Sequence, residues 1–360
     1  MASRRAKDYA GRPASAATGD GEREIGLPGA ARMSGRRRFV LRATALTAAL
    51  LVAGAGQASA RRRIGFLSPL FARDADPVFG PFLLALRAQG YREDDNLDLD
   101  YRSANGQMSQ LDALAAELVA RKVELIVAVA PPAIHAARKA TASVPIVMAF
   151  SGDDPVRSGF VASLARPGGN ITGLTILAPD LSVKRLELMR EIAPSLTRVA
   201  VLANPATQTS REQLENVRSA GRVLGVSIDA AEASTPAALD AAFGALAKAR
   251  PQMLLVLSDP LFFAERRRLA ELALAHRLPM MADWKETAQA GALIAYGPNL
   301  AALAGRAAVF VDRILRGARP ADLPVEQPSK FDLIVNLRTA QRLGITVPGS
   351  VLLRADETLD

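Results

Sequence analysis

Ser68, Ser151, Asp153, Asn204, Ser258, Asp259, Asp283, Trp284 and Tyr296 fall at or just past the ends of short apolar runs. Such runs read as buried strands of a parallel sheet. Their carboxyl ends are where open α/β sheets place ligands. The residue types suit a zwitterion. Hydroxyls and backbone N–H groups take a carboxylate, and side-chain carboxylates take an ammonium. Phe71, Trp284 and Tyr296 supply apolar or stacking walls. Each of these residues also suits a helix cap or loop, Asp153 and Asp259 above all. As a set they favour a small polar or amphipathic ligand over a hydrophobic one.

The rest of the sequence points away from catalysis. Cysteine is absent, which excludes thiolate chemistry, disulfides and a lipid-carrying cysteine. His135 and His276 lie on separate predicted helices, outside any metal-ligand spacing. No Gly-x-Ser-x-Gly elbow and no phosphate-cradling Gly-x-x-x-x-Gly-Lys occurs. Pro167-Gly168-Gly169-Asn170 lacks the strand-to-helix setting of a dinucleotide loop. The expectation is a binding protein, not an enzyme, with no catalytic residue, cofactor or metal. Arg266-Arg267-Arg268 reads as a solvated helix face, with docking to a membrane permease as the second reading.

The elements that must position the candidate residues alternate regularly. Arg63 to Leu67, Asn96 to Tyr101, Val123 to Ala130 and Val144 to Phe150 read as strands. Pro77 to Gln89, Met108 to Lys122 and Ile134 to Ala142 read as the helices between them. After the break at Pro167 to Asn170 an extended segment, Ile171 to Ile176, follows. The stretch Val144 to Thr175 thus reads as the end of one lobe and the start of a hinge. The alternation then resumes. Strands are expected at Arg198 to Leu202, Val226 to Ala231, Met253 to Leu257, Pro279 to Ala282 and Gly291 to Tyr296. The helices between them are expected at Ser182 to Ile192, Ser210 to Leu224, Pro236 to Ala249 and Ala264 to His276. A long helix, Leu300 to Leu315, a last strand, Phe331 to Asn336, and a short helix, Thr339 to Leu343, complete the chain. Two such arrays in 360 residues make two α/β lobes with a ligand cleft between them.

The first sixty residues have a different character. They carry six of the nine net positive charges, so the high isoelectric point says little about nucleic acid. Met33 to Arg42 is a basic segment, Ala43 to Gly56 an apolar one, and Ala58-Ser59-Ala60 a small-x-small cleavage site, in signal-peptide order. Arg36-Arg37-Arg38-Phe39-Val40 fits both a twin-arginine pattern, with Val where Leu is commoner, and a general secretory leader. Residues 1–32 read either as a disordered extension or as a start placed ahead of Met33.

Longer stretches carry a resemblance. They are Asp154-Pro155-Val156, Ser163 to Gly173 (SLARPGGNITG), Tyr296-Gly297-Pro298-Asn299, Pro320 to Phe331 (PADLPVEQPSKF) and Arg354-Ala355-Asp356-Glu357. Over nearly all of residues 62–358 the chain resembles the substrate-binding proteins of ABC transporters, in the group that includes the tryptophan/tyrosine-binding proteins. The resemblance implies a type I periplasmic-binding fold, two Rossmann-like lobes joined by a three-crossing hinge. Residues 61–172 plus 299–324 would form one lobe, and 173–298 plus 325–360 the other. The lipid-carrying cysteine of some members is missing here, so a monomeric periplasmic protein without a lipid anchor is expected. That protein would close on an amino-acid-like ligand, aromatic ones included, and present it to an inner-membrane permease. A ligand-sensing module of the same fold, feeding a receptor, is the alternative. One departure bears on the ligand. Ala130-Pro131-Pro132 stands where relatives often have Gly-Thr-Pro, so Pro131 replaces a hydroxyl at a candidate ligand contact.

Overall fold

The computed structural model describes residues 61–360, and the expected leader lies outside the described residues. Five strands, β1 (Arg62–Ser68), β2 (Leu97–Ser103), β3 (Leu125–Val129), β4 (Ile146–Ser151) and β5 (Ile171–Thr175), form a parallel sheet ordered β2-β1-β3-β4-β5. The apolar runs that predict β3 and β4 are buried almost throughout, as strands covered on both faces must be. Helices α1 (Phe79–Ala88), α2 (Leu111–Ala120) and α3 (Ala130–Ala140) connect the strands.

The second array contains α4 (Ala178–Ile192), β6 (Arg198–Ala203), α5 (Gln208–Leu224), β7 (Ser227–Glu232) and α6 (Leu239–Ala249). It continues with β8 (Met253–Val256), α7 (Pro260–Ala264), α8 (Arg266–Ala275), β9 (Met280–Ala282), α9 (Lys285–Ala290) and β10 (Ile294–Gly297). Helix α10 (Leu300–Leu315) returns to the first sheet. There Ala304, Ala307 and Ala308 let it approach α1 closely, against Phe82 and Leu86. The chain ends in β11 (Asp332–Asn336), α11 (Leu337–Leu343), α12 (Gly349–Leu352) and β12 (Glu357–Leu359). The second sheet runs β12-β11-β10-β9-β8-β6-β7 and is parallel except between β10 and β11. Among the described residues no helix is long and apolar enough to cross a membrane.

Several local expectations need correction. Helix α3 starts directly from β3, four residues before the expected Ile134. Ala130 takes φ +61° to make the turn, and Pro131 and Pro132 occupy the first helical turn. Proline suits that turn because its missing N–H has no intrahelical acceptor there. Residues 173–175, expected in the second lobe, are hydrogen-bonded to β4 inside the first sheet. The first crossing therefore comes after Thr175. Glu326 likewise bridges to Leu174, and Val325 packs in the first array's core, so the third crossing also lies later than expected. Gly173 explains part of this register. Its φ is +125°, and a Cβ there would stand 2.3 Å from the Met148 carbonyl oxygen.

Candidate functional site

A cavity of about 360 Å³ lies between the carboxyl ends of the two sheets. Ser68, Phe71, Pro131, Asp153, Ser258, Asp259, Asp283 and Trp284 line it. Ser151, Asn204 and Tyr296 do not. The Ser151 hydroxyl donates to the Asp153 carbonyl, and its own carbonyl receives Ile176 N–H, so it shapes the crossing. Asn204 donates to Asp259 Oδ1 at 3.1 Å. Tyr296 stacks on Phe331 with ring centroids 5.9 Å apart, on the face of the second sheet.

The first array builds one wall through Asp76. Its carboxylate accepts from Ser68 Oγ at 2.6 Å and from Val78 N–H at 2.8 Å, and Tyr101 OH lies 2.8 Å away. Burial, then the charge of Asp76, pushes the Tyr101 hydroxyl far above its ordinary pKa, so it remains a donor. This network fixes the loop that presents Phe71, whose carbonyl is also 2.8 Å from Tyr101 OH.

Phe71 meets Phe263 of the second array edge to face at 5.9 Å, across the cleft. Trp284 follows at 6.3 Å from Phe263, and Phe150 at 5.4 Å from Trp284. Four rings, two from each array, thus form a continuous apolar wall. The Arg266 guanidinium covers its outer end, 4.7 Å from the Phe263 ring and 5.6 Å from that of Phe71. Burial lowers the Arg266 pKa from its ordinary value. The sequence reading placed Arg266 in solvent and missed Phe150 and Phe263. Their positions, Phe150 near the end of β4 and Phe263 in the short helix α7 that follows β8, were the available signal.

Carboxylates stand on the polar side. Asp153 accepts from the Thr209 hydroxyl of α5, and His135 Nε2 lies 3.6 Å from it. Asp259 caps α7 by accepting Leu261 N–H at 2.9 Å, and Thr207 Oγ1 donates to it at 2.9 Å. Burial raises its pKa despite these donors. Thr207 occupies the N-cap of α5 but makes no side-chain cap bond to it. The first turn of α5 lines the cavity, and among the described residues no N-cap side chain covers its N–H groups, an arrangement that attracts an anion.

Asp283 lies at the end of β9, buried, and its pKa is raised by that burial while Arg185 opposes the rise. Arg185 projects from α4 and is fully buried. Its Nε donates to the Tyr296 carbonyl at 2.8 Å and its Nη1 to Ser258 Oγ at 3.2 Å. Arg185 escaped the sequence reading, although a charge at the Ser182, Leu186, Met189 helical spacing marks a buried position.

The comparisons with known proteins agree with this architecture. A tyrosine-binding protein of Clostridioides difficile is 28% identical over 263 residues, covering 73% of this chain and 75% of the relative. A conserved domain protein of Vibrio cholerae matches at a TM-score of 0.78 and 28% identity, over 83% of this chain and 99% of the other. The ABC domain from Streptococcus pneumonia, solved in complex with L-Trp, matches at a TM-score of 0.77 and 24% identity. That match covers 83% of this chain and all of the other. These neighbours have the type I periplasmic-binding fold. The family model for ABC transporter substrate binding proteins matches residues 74–359, and the chain belongs to that family.

Proposed function

We propose that this protein captures an amino acid in the cleft, with a preference for an aromatic side chain, and presents it to an ABC permease. The observation that carries the reading is the pairing of two surfaces in one cavity. Four aromatic rings drawn from both arrays stand on one side, and buried carboxylates with an uncapped helix start stand on the other. The rings take an aromatic side chain, the carboxylates its ammonium, and the α5 N–H groups its carboxylate. The relatives described as binding tyrosine and L-Trp favour the same class.

Contacts from both arrays surround the cavity, so ligand binds the closed arrangement better than an open one. Closure is a hinge motion of the two arrays about the three crossings. Family members work outside the cytoplasm. For this chain we infer export as a free protein, cleaved after Ala60.

Isothermal calorimetry with L-Trp, L-Tyr, L-Phe, L-Leu and glucose tests the reading. Saturable binding of the aromatic amino acids, tightest in the set, is expected. Trp284 is the single tryptophan, so its emission on titration with L-Tyr gives a second signal from inside the cleft. Binding of glucose with no response to any amino acid would overturn the assignment. N-terminal sequencing of the periplasmic protein should begin at Arg61.

A further inference from the structure

We propose that Asp283 is the group in the cleft that receives the ligand's ammonium, and that Arg185, buried beneath it, is the positioning residue behind that carboxylate. The inference rests on the amino-acid reading above and divides labour among the acidic groups that reading leaves equivalent.

Three of the cleft carboxylates are already engaged. Asp76 holds the loop after β1 through Ser68 and the Val78 and Phe79 N–H groups. Asp153 is taken by Thr209 and Ser158. Asp259 accepts from Asn204, Thr207 and Leu261 N–H, and works as the cap of α7. Asp283 differs. Ser258 and the N–H groups of residues 283 and 284 favour its charged form, yet among the described residues no donor closes onto it with hydrogen-bond geometry. It lines the cavity and retains acceptor capacity there.

The support beneath it is built from the sequence. Alternation along β9 puts Asp283 on the same face as Met281, and that face packs against Leu186 and Met189 of α4. Arg185 comes from that helix. Its neighbour Ser258 is fixed in turn by Gln213, which is fully buried and exchanges two 2.9 Å hydrogen bonds with the Ser258 backbone. Arg185 Nη2 has no hydrogen-bond partner among the described residues. Arg185 and Asp283 make no direct ion pair among the described residues, and a buried guanidinium with an unpartnered nitrogen is a poor means of stability. A carboxylate buried without help takes up a proton and cannot serve an ammonium. The Arg185 guanidinium opposes that outcome at Asp283, although burial still leaves the Asp283 pKa raised. The arrangement makes sense as a means of favouring a negative charge at the cavity floor when an ammonium arrives.

Matched probes test this. L-Trp and indole-3-propionate share ring and carboxylate and differ in the amino group; L-Tyr and 3-(4-hydroxyphenyl)propionate form a second pair. Calorimetry on Asp283→Asn should show about 10- to 100-fold weaker L-Trp binding, the worth of a charge-assisted hydrogen bond. Affinity for indole-3-propionate should hold or rise. Equal losses for both probes, or no loss, would overturn the assignment. Asp283→Glu, which keeps the charge but displaces it, should also discriminate between the probes and serves if the Asn variant does not fold.

For Arg185 the readout is a pH profile. Without the guanidinium, Asp283 takes up its proton at a higher pH. L-Trp affinity in Arg185→Met should therefore begin to fall at a higher pH than in the unaltered protein, and Arg185→Lys should restore part of the difference. If Arg185→Met does not fold, the Lys variant alone decides, with a smaller displacement in the same direction. Superimposable profiles would remove Arg185 from this role. Failure of the underlying reading looks different: neither L-Trp nor L-Tyr would bind the unaltered protein.

Discussion

The Asp153 carboxylate at the end of β4 accepts a hydrogen bond from the Thr209 hydroxyl in the first turn of α5, and so joins the two arrays across the cleft. Arg157 and Glu212 make a second crossing contact at 3.1 Å. Opening of the cleft, which the proposed closure implies, would break both. Thr209→Val keeps the shape and removes the donor, leaving a buried carboxylate short of a partner. A hydrogen bond to a charged group is worth about 1.5–3 kcal/mol. The variant should be more open without ligand, with a larger radius of gyration in small-angle scattering and weaker aromatic amino acid binding. Arg157→Ala removes an ion pair whose arginine is 65% exposed, and should cost only about 0.2–1 kcal/mol.

Gly297 and Gly173 make a controlled pair. A Cβ at Gly297 would stand 2.1 Å from the Asp283 carbonyl oxygen, so Gly297→Ala must displace the backbone that carries Asp283. Gly173→Ala meets the Met148 backbone instead, at the edge between β4 and β5. Overpacking of this kind costs about 1–3 kcal/mol. Urea unfolding should show both variants destabilised. L-Trp binding should fall further in the Gly297 variant, because only there does the strain act on a cleft carboxylate.

Much of this arrangement is legible in the sequence, for physical reasons. Buried parallel strands need continuous apolar runs, so Val147 to Ala149 and Leu254 to Val256 announce themselves. The cavity-lining loops follow from where those runs stop. Short elements held by tertiary contacts are not legible. Helix α9 has only six residues, and β12 is a three-residue edge strand with one side exposed. Pro131-Pro132 reads as a break, although proline is at home in a first helical turn. Tyr296 shows the limit for site residues. Position at a strand end says that a residue is near the cleft, but alternation decides which face it takes, and here it meets Phe331. Arg185 joins α4 to Ser258 and Tyr296, positions far apart in sequence, and no local pattern records such a link.

The Arg306–Glu326 pair predicts a pH dependence. Both Nε and Nη2 of Arg306 lie 2.6 Å from the two Glu326 oxygens, tying α10 to the start of the third crossing. Hydrogen bonding from Arg306 lowers the Glu326 pKa below the ordinary carboxylate value. A carboxylate depressed in the folded state contributes stability above its unfolded pKa and loses it as pH falls through the folded one. Both side chains are about one-third or more exposed, so the contribution is small, about 0.5 kcal/mol. Arg306→Gln should melt slightly below the unaltered protein at neutral pH. The gap should close in acid and shrink in high salt. A gap that persists in acid would mean that Arg306 acts by packing over Phe310, 5.7 Å away, rather than by charge.

The aromatic wall gives the sharpest statement about ligand class. Phe71 belongs to the first array and is only partly buried, so truncating it should leave the folded protein nearly as stable as before. Its ring nevertheless completes the wall, 5.9 Å from Phe263 and beneath the Arg266 guanidinium. An aromatic pair is worth about 0.5–1.5 kcal/mol beyond area burial, and the lost apolar contact adds to that. Phe71→Ala should therefore weaken L-Trp and L-Tyr binding by about 2 kcal/mol, near thirtyfold. L-Leu, which cannot stack, should lose less, so the preference for aromatic side chains narrows. Arg266→Gln removes the cation over the rings and should cost about 0.5–1 kcal/mol for the same ligands. Calorimetry across L-Trp, L-Tyr and L-Leu, with thermal melts of each variant, separates these effects. Unchanged aromatic affinity in Phe71→Ala would show that the ligand's ring lies elsewhere, against Phe150 and Trp284 alone.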